Sequence, residues 1–247
     1  MLQPVIIEDN ISIAAGATND NVIASNSSLR RYLRSPFAAN GKFMATQSAT
    51  GLRVSVDYGA KNVIDNSDMR VGTDMQDPLD VINSNWHPSE GDQLVVRVTN
   101  PTGGALSIRY RIVLEPLAEP GTPSDQIELP PDTRVTVRGP VSIAASAIDV
   151  QQFSGIRYER APSDSIMRIL MTASATGLTK QIFVDMDSIA PPSSIPPLNR
   201  VPQDPFDQVI NQVEVEKDSQ IELSVSNSTG GAITVNWRLV LDELVRT

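Results

Sequence analysis

The sequence predicts an all-β protein made of two tandem antiparallel β-sandwich domains related by internal duplication. Three observations carry this reading: a long internal repeat, two-residue alternation of apolar and polar side chains, and turn residues between short apolar runs. The segment Glu90–Leu117, EGDQLVVRVTNPTGGALSIRYRIVLEPL, recurs without a gap as Lys217–Leu244, KDSQIELSVSNSTGGAITVNWRLVLDEL, and 11 of the 28 paired positions are identical. Three more echoes keep the same order: Met44–Leu52 with Met171–Leu178, Asp77-Pro-Leu-Asp with Asp204-Pro-Phe-Asp, and Ser12-Ile-Ala-Ala with Ser142-Ile-Ala-Ala. Solenoid repeats run about 20–50 residues, so a period above 100 signals duplicated domains, and each copy has the size of an ordinary domain. The division is 1–119 for the first module, 120–132 for a linker in a proline- and acid-rich run, and 133–247 for the second module.

The elements follow in chain order. Strands are expected at Val5–Ile13, Lys42–Thr46 and Leu52–Tyr58. Next comes a long loop, Val63–Asp77, and a short helix at Asp77-Pro78-Leu79-Asp80. There Asp77 serves as N-cap, Pro78 as first helical residue, and Asp80 reaches back to the cap. Leu94, Val96 and Val98 then share one face, as do Leu106, Ile108, Tyr110, Ile112 and Leu114 after the turn. Period two marks half-buried antiparallel strands. Asn100-Pro-Thr-Gly-Gly between them reads as a hairpin turn, since Asn and Gly tolerate positive φ. The second module repeats the plan with strands at Thr133–Ile143, Ile166–Thr172 and Lys180–Asp185, a loop at Ala190–Pro205, a helix at Asp204–Asp207, and a hairpin through Asn227-Ser-Thr-Gly-Gly. Tyr110 and Trp237 are expected as equivalent core residues. Within the second loop, Ile189, Ile195, Pro196, Pro197, Leu198 and Val201 read as an apolar surface that serves neither core, and such surfaces mark contacts.

Composition narrows the function. The chain has 247 residues, no cysteine and a formal net charge of −9. A negative surface repels phosphate backbones, so direct nucleic-acid binding is not expected. No apolar run approaches the length that spans a bilayer, and the opening MLQPVIIEDN lacks the basic and apolar regions of a secretory signal. Arg30, Arg31 and Arg34 form the one tight basic cluster. It reads as a solvated turn, with a salt bridge to an acidic neighbouring subunit as the other reading.

Candidate chemistry is sparse. Carboxylates gather at Asp74/Asp77/Asp80, Asp185/Asp187 and Asp204/Asp207. Oxygen-rich groups can hold calcium, but capping accounts for four of these and no EF-hand spacing is present. His87 is the sole histidine and no Gly-x-Ser-x-Gly elbow occurs, which leaves it a plain loop role. Asn26-Ser-Ser and Asn227-Ser-Thr match the glycosylation pattern, and turn chemistry explains Asn227 better. Aromatic content of 4% argues against a ring-lined sugar groove. Paired carboxylates for glycoside hydrolysis depend on the fold. No catalytic, cofactor-binding or metal-binding residue is assigned, and no cofactor is expected.

Two like antiparallel modules in one chain resemble the double-jelly-roll capsid proteins of viruses, including tailless phages with an internal membrane. The resemblance covers most of the chain through the repeat and rests on architecture rather than a diagnostic motif. It implies two jelly rolls, closed so as to leave no free sheet edge, and a homotrimer that offers six similar barrels with pseudo-sixfold symmetry. It also implies a place in the virion shell beside other capsid proteins. The chain departs from that family in the legible likeness of its modules and in its short N-terminal segment. These departures leave room for a capsid decoration or cement protein of related jelly-roll type. A tandem β-sandwich adhesin or lectin that binds glycans is the alternative from another class, and a jelly-roll hydrolase is a third.

Overall fold

Alternation of side chains along the chain produces strands throughout. The structure is a computed structural model that describes residues 3–245 apart from 20, 76–79, 120–121, 124–125, 199 and 203–206. The chain divides into two compact units, Met1–Val135 and Thr136–Thr247.

In the first unit the strands are β1 (Val5–Ile13), β2 (Thr18–Asn19), β3 (Ala39–Gln47), β4 (Arg53–Tyr58), β5 (Lys61–Asp68), β6 (Arg70–Val71), β7 (Val81–Trp86), β8 (Leu94–Thr99) and β9 (Leu106–Pro116). One sheet runs β1-β9-β3, with β7 and the short β6 both on β3. The other runs β2-β8-β4-β5, and Val135 pairs with Ile64 at its edge. The second unit is built from β10 (Thr133–Ile143), β11 (Val150–Gln151), β12 (Ser165–Ala173), β13 (Leu178–Val184), β14 (Asp187–Ser194), β15 (Gln208–Val215), β16 (Ile221–Asn227) and β17 (Ile233–Glu243). Its strand orders are β10-β17-β12-β15 and β11-β16-β13-β14. β6 aside, the two units have the same order strand for strand. Eight antiparallel strands shared between two facing sheets, with the chain crossing from sheet to sheet, make each unit a jelly roll. These are open sandwiches rather than closed barrels, so sheet edges remain. At one of them, β14 carries exposed Pro191 and Pro192, which cannot donate to an incoming strand.

The register refines the repeat. Ala45 pairs with Tyr110, and Met171 pairs with Trp237, at equivalent rungs. Met44 therefore corresponds to Leu170, one position from the match with Met171 that the letters suggest. Tyr110 and Trp237 are both buried on the core faces of equivalent strands, as expected. Tyr110 stacks on Phe43, while Trp237 meets Phe153 edge-on with ring centroids 4.8 Å apart.

The expected hairpins are not hairpins. β8 lies in one sheet and β9 in the other, and β16 and β17 are divided likewise, so Asn100-Pro-Thr-Gly-Gly and Asn227-Ser-Thr-Gly-Gly are corners between sheets. Nor does glycine supply positive φ: none of Gly103, Gly104, Gly230 and Gly231 has φ in the left-handed range, and a Cβ on any of them meets nothing within 4 Å. The buried asparagine shapes the corner instead. Asn227 Nδ2 donates to the carbonyls of Ile143, Ala144 and Gly231 at 2.8–3.1 Å, and its Oδ1 accepts from the Thr229 N–H and hydroxyl at 3.0 and 2.8 Å. Asn100 does the same with Ile13, Gly104 and Thr102. The Thr102 and Thr229 methyls pack on Gly51 and Gly177, whose positive φ and close approach do require glycine. Three separate echoes, Ser-Ile-Ala-Ala, Ala-Thr-Gly-Leu and Asn-x-Thr-Gly-Gly, thus converge on one end of each sandwich.

A sharp contrast follows for substitutions in this corner. Asn227→Ala is expected to cost about 2 kcal/mol by stranding buried backbone groups, and Gly230→Ala less than about 0.5 kcal/mol. Urea unfolding of the two variants checks it, and a larger loss at Gly230 would return the corner to the glycines.

The apolar stretch of the second long loop divides. Residues 187–194 form β14, and Ile195 is buried in the second core with Ile189 and Ala190 packed against it. Leu198 remains outside, 42% exposed. In the first unit β5 (61–68) likewise takes 63–68 out of the expected loop.

Candidate functional site

Most of the polar residues singled out in the sequence serve to tie loops. Asp77, Asp204 and the intervening residues of both expected helices lie outside the described residues. Among the described residues, Asp80 pairs with Arg70. Its buried carboxylate accepts a two-point bond from the Arg70 guanidinium at 2.5 and 2.8 Å. Asp207, at the equivalent position, is held in the same way by Arg200 at 3.0 and 3.1 Å. Both place a backbone carbonyl on the neighbouring strand, Asp80 on Ala45 and Asp207 on Met171. A planar guanidinium suits such paired contacts. Asp74 is exposed beside Arg109. Asp185 sits in the tight β13–β14 turn, where hydrogen bonds from Ser219 and the Gln220 N–H hold its carboxyl below the usual range. Among the described residues no three His, Cys, Asp or Glu gather as a metal-binding group. Asn26 donates to Asp9 and accepts from Ser28, and Asn227 is buried in its corner.

His87 is not a plain loop residue. It is buried beside Asp132, the centre of a polar clamp inside the first unit. Asp132 accepts from the Tyr58 hydroxyl at 2.5 Å, Lys61 Nζ at 2.6 Å and the His87 N–H at 2.9 Å, and His87 Nδ1 stands 3.5 Å away. Burial alone raises this carboxyl, but the hydrogen bonds from His87, Lys61 and Tyr58 prevail and hold it well below the usual carboxylate range. Burial, with Asp132 next, pushes the Tyr58 phenol up. Beside Asp132, Asn83 ties the Val63 and Thr133 carbonyls together. The cluster anchors the strand that leaves the first unit. Nothing in the sequence joins Tyr58, His87 and Asp132, because their association depends on the fold.

The second core holds an unexpected lysine. Lys180 occupies the inward position that Val54 fills in the first unit, since Lys180 pairs with Val225 as Val54 pairs with Val98. It is 5% exposed and reaches Ser193 Oγ at 2.5 Å. Burial pushes its amine below the usual lysine range.

The duplication extends to a further pair of segments, offset by 126 residues rather than 127. Arg31-Tyr32-Leu33-Arg34-Ser35-Pro36 has a twin in Arg157-Tyr158-Glu159-Arg160-Ala161-Pro162. Both segments form the loop before the third strand of their sandwich. Arg34 bridges to Gln93 and donates to the Gly91 carbonyl at 3.1 Å, while Arg160 bridges to Gln220 and donates to the Asp218 carbonyl at 3.0 Å. These two arginines hold the loop. Arg31 lies over the Tyr32 ring at 4.7 Å, and Arg30 donates to the Ala24 carbonyl. In the second unit the loop borders a cleft of about 200 Å³ lined by Gln151, Phe153, Ser154, Glu159, Gln220, Ile221 and Glu222. Phe153 lies beneath it, 1% exposed, and presents no ring face to a ligand.

No known family model and no curated protein sequence matches the chain. Similar solved structures include a turret protein of Sulfolobus turreted icosahedral virus, at 11% identity over 98% of this chain and 100% of that one, with a TM-score of 0.24. They also include a peptide-N(4)-(N-acetyl-β-D-glucosaminyl) asparagine amidase, at 9% identity over 99% and 97%, TM-score 0.32. An infectious bursal disease virus structure is similar at 11% identity over 98% and 72%, TM-score 0.23. At these TM-scores neither the virion proteins nor the amidase assigns a role to this chain.

Proposed function

We propose that this chain is a virion structural protein, a double-jelly-roll capsid subunit that assembles as trimers into an icosahedral shell. One observation carries the reading: two sandwiches of the same strand order stand in one chain, and their shared motifs are spent on corners and loop ties. A cyclic trimer of such a chain offers six like modules, so a threefold object packs as a pseudo-hexamer. The net charge of −9 suits a shell that does not grip the genome itself. Phe153, the ring at the second unit's cleft, is buried and offers no stacking face to a glycan there.

Light scattering of the purified chain, with cryo-electron microscopy of any particle that contains it, tests the proposal. Trimers tiling the shell are the expected result. Sparse placement on top of a shell built by another protein would make it a decoration protein, and a monodisperse monomer without particle association would remove the virion reading.

A further inference from the structure

We infer that the cleft of the second module receives the Arg30–Arg31 corner of the first module of another copy, an inference that rests on the assembly reading above. The duplication supplies the reason. Both modules carry the same loop, with Arg31/Arg157, Tyr32/Tyr158 and Arg34/Arg160 at matching places. Against that common frame three positions diverge in charge. Arg30 stands where the second unit has the buried Ile156, Leu33 where it has Glu159, and Val95 where it has Glu222. The first loop therefore presents three exposed arginines against the two, Arg157 and Arg160, of the second, and the second borders a cleft with two carboxylates.

Those carboxylates take only neutral donors. Glu159 accepts from the Gly155 N–H at 2.8 Å, and Glu222 from Gln220 at 2.9 Å and Gln151 at 3.5 Å. Neither Glu has an ion pair among the described residues, nor do Arg30 and Arg31. Of the two shared arginines on this loop, Arg160 donates to the Asp218 carbonyl at 3.0 Å, and Arg157 stands on the same turn as Glu159. The cleft is half polar and half apolar, open, and of a volume that takes one guanidinium-bearing side chain. Every copy carries one corner and one cleft, so each contact is head-to-tail, the kind that closes into a ring. Complementary charge at such a rim sets register and speeds encounter.

The test is charge reversal in the full chain, read as the association constant by sedimentation at low and high salt. Glu159→Lys with Glu222→Lys is expected to weaken association roughly tenfold or more, and Arg30→Glu with Arg31→Glu to do the same. All four together restore the complementarity and are expected to recover most of the loss. Added salt is expected to weaken the wild type and the fourfold variant alike, as the Debye length falls from about 10 Å at 0.1 M to about 3 Å at 1 M. Arg30 and Arg31 are exposed and Glu159 and Glu222 half-buried, outside either core, so near-ultraviolet circular dichroism is expected to be unchanged. If the wild type associates and neither pair alters it, or the fourfold variant recovers nothing, the cleft is not the docking site and the assembly reading stands. If the wild type does not associate at any concentration, the assembly reading falls and this inference with it.

Discussion

Trp237→Ala is expected to cost about 4 kcal/mol, within the range for deleting a large buried aromatic side chain. Trp237 is 1% exposed, fills the space between the sheets of the second unit, and meets Phe153 at 4.8 Å. Truncation removes the apolar burial and leaves a cavity that strands on both sheets cannot close, because their ladders hold them apart. The indole N–H has no partner among the described residues, so no hydrogen bond is lost and the cost is one of packing. Guanidinium unfolding checks it. The second core is its own cluster, so where the units melt separately only one transition is expected to move, and Tyr110→Ala should move the other. A loss below about 1 kcal/mol would show that the ring does not hold the core.

Asp132→Ala is expected to cost roughly 3 kcal/mol, because two buried donors lose their acceptor. The Tyr58 hydroxyl and the His87 N–H both point at this carboxylate. Lys61 adds less, since its side chain is 47% exposed and keeps its water. The same clamp predicts a pH response. Asp132 is held below the ordinary carboxylate range in the folded chain, so in acid the unfolded chain binds more protons and protonation favours unfolding. Its stabilisation is complete above about pH 4, the ordinary carboxylate value, and is lost as the pH falls below that. Asp132→Asn is therefore expected to be less stable at neutral pH and to show a shallower acid slope. Denaturant midpoints measured from pH 7 to pH 2 check both. An unchanged acid slope in Asp132→Asn would place the acid sensitivity in other carboxylates, of which Glu8, held low by Arg111 and Arg109, is the first to examine.

Much of the architecture could be read from the letters. Strand positions such as Val5–Ile13 and Thr133–Ile143 match the structure residue for residue, because two-residue alternation is a local property of half-buried strands. The 28-residue repeat established the duplication, and the apolar spacing around Tyr110 and Trp237 placed both rings in the cores. The loop tie at Arg34 and Arg160 was also there to be read, in the twin Arg-Tyr-x-Arg-x-Pro segments, but a register one residue away from that of the long repeat hides it.

Which sheet each strand joins was settled only by the tertiary structure. Asn-x-Thr-Gly-Gly has the composition of a hairpin, and a hairpin and a corner between sheets demand the same local residues. Only the pairing of β8 with β4 and of β9 with β3 separates them. In the same way, DSIAPPSS does not resemble a strand, yet it pairs with β13 through Asp187–Ala190 and Ser193–Ser194, and its two prolines fall at a break in the register. Lys180 and Val54 hold one position in two copies of one fold, and the letter Lys alone gives no sign that its stem runs through a core. Asp132 carries a burial cost that its letter does not show, and it is offset by donors 74, 71 and 45 positions away in the chain. Local patterning decides which residues extend and which turn, whereas charge pairing and sheet membership depend on contacts between segments far apart in sequence, where the chain brings the groups within a few ångströms and excludes water from between them.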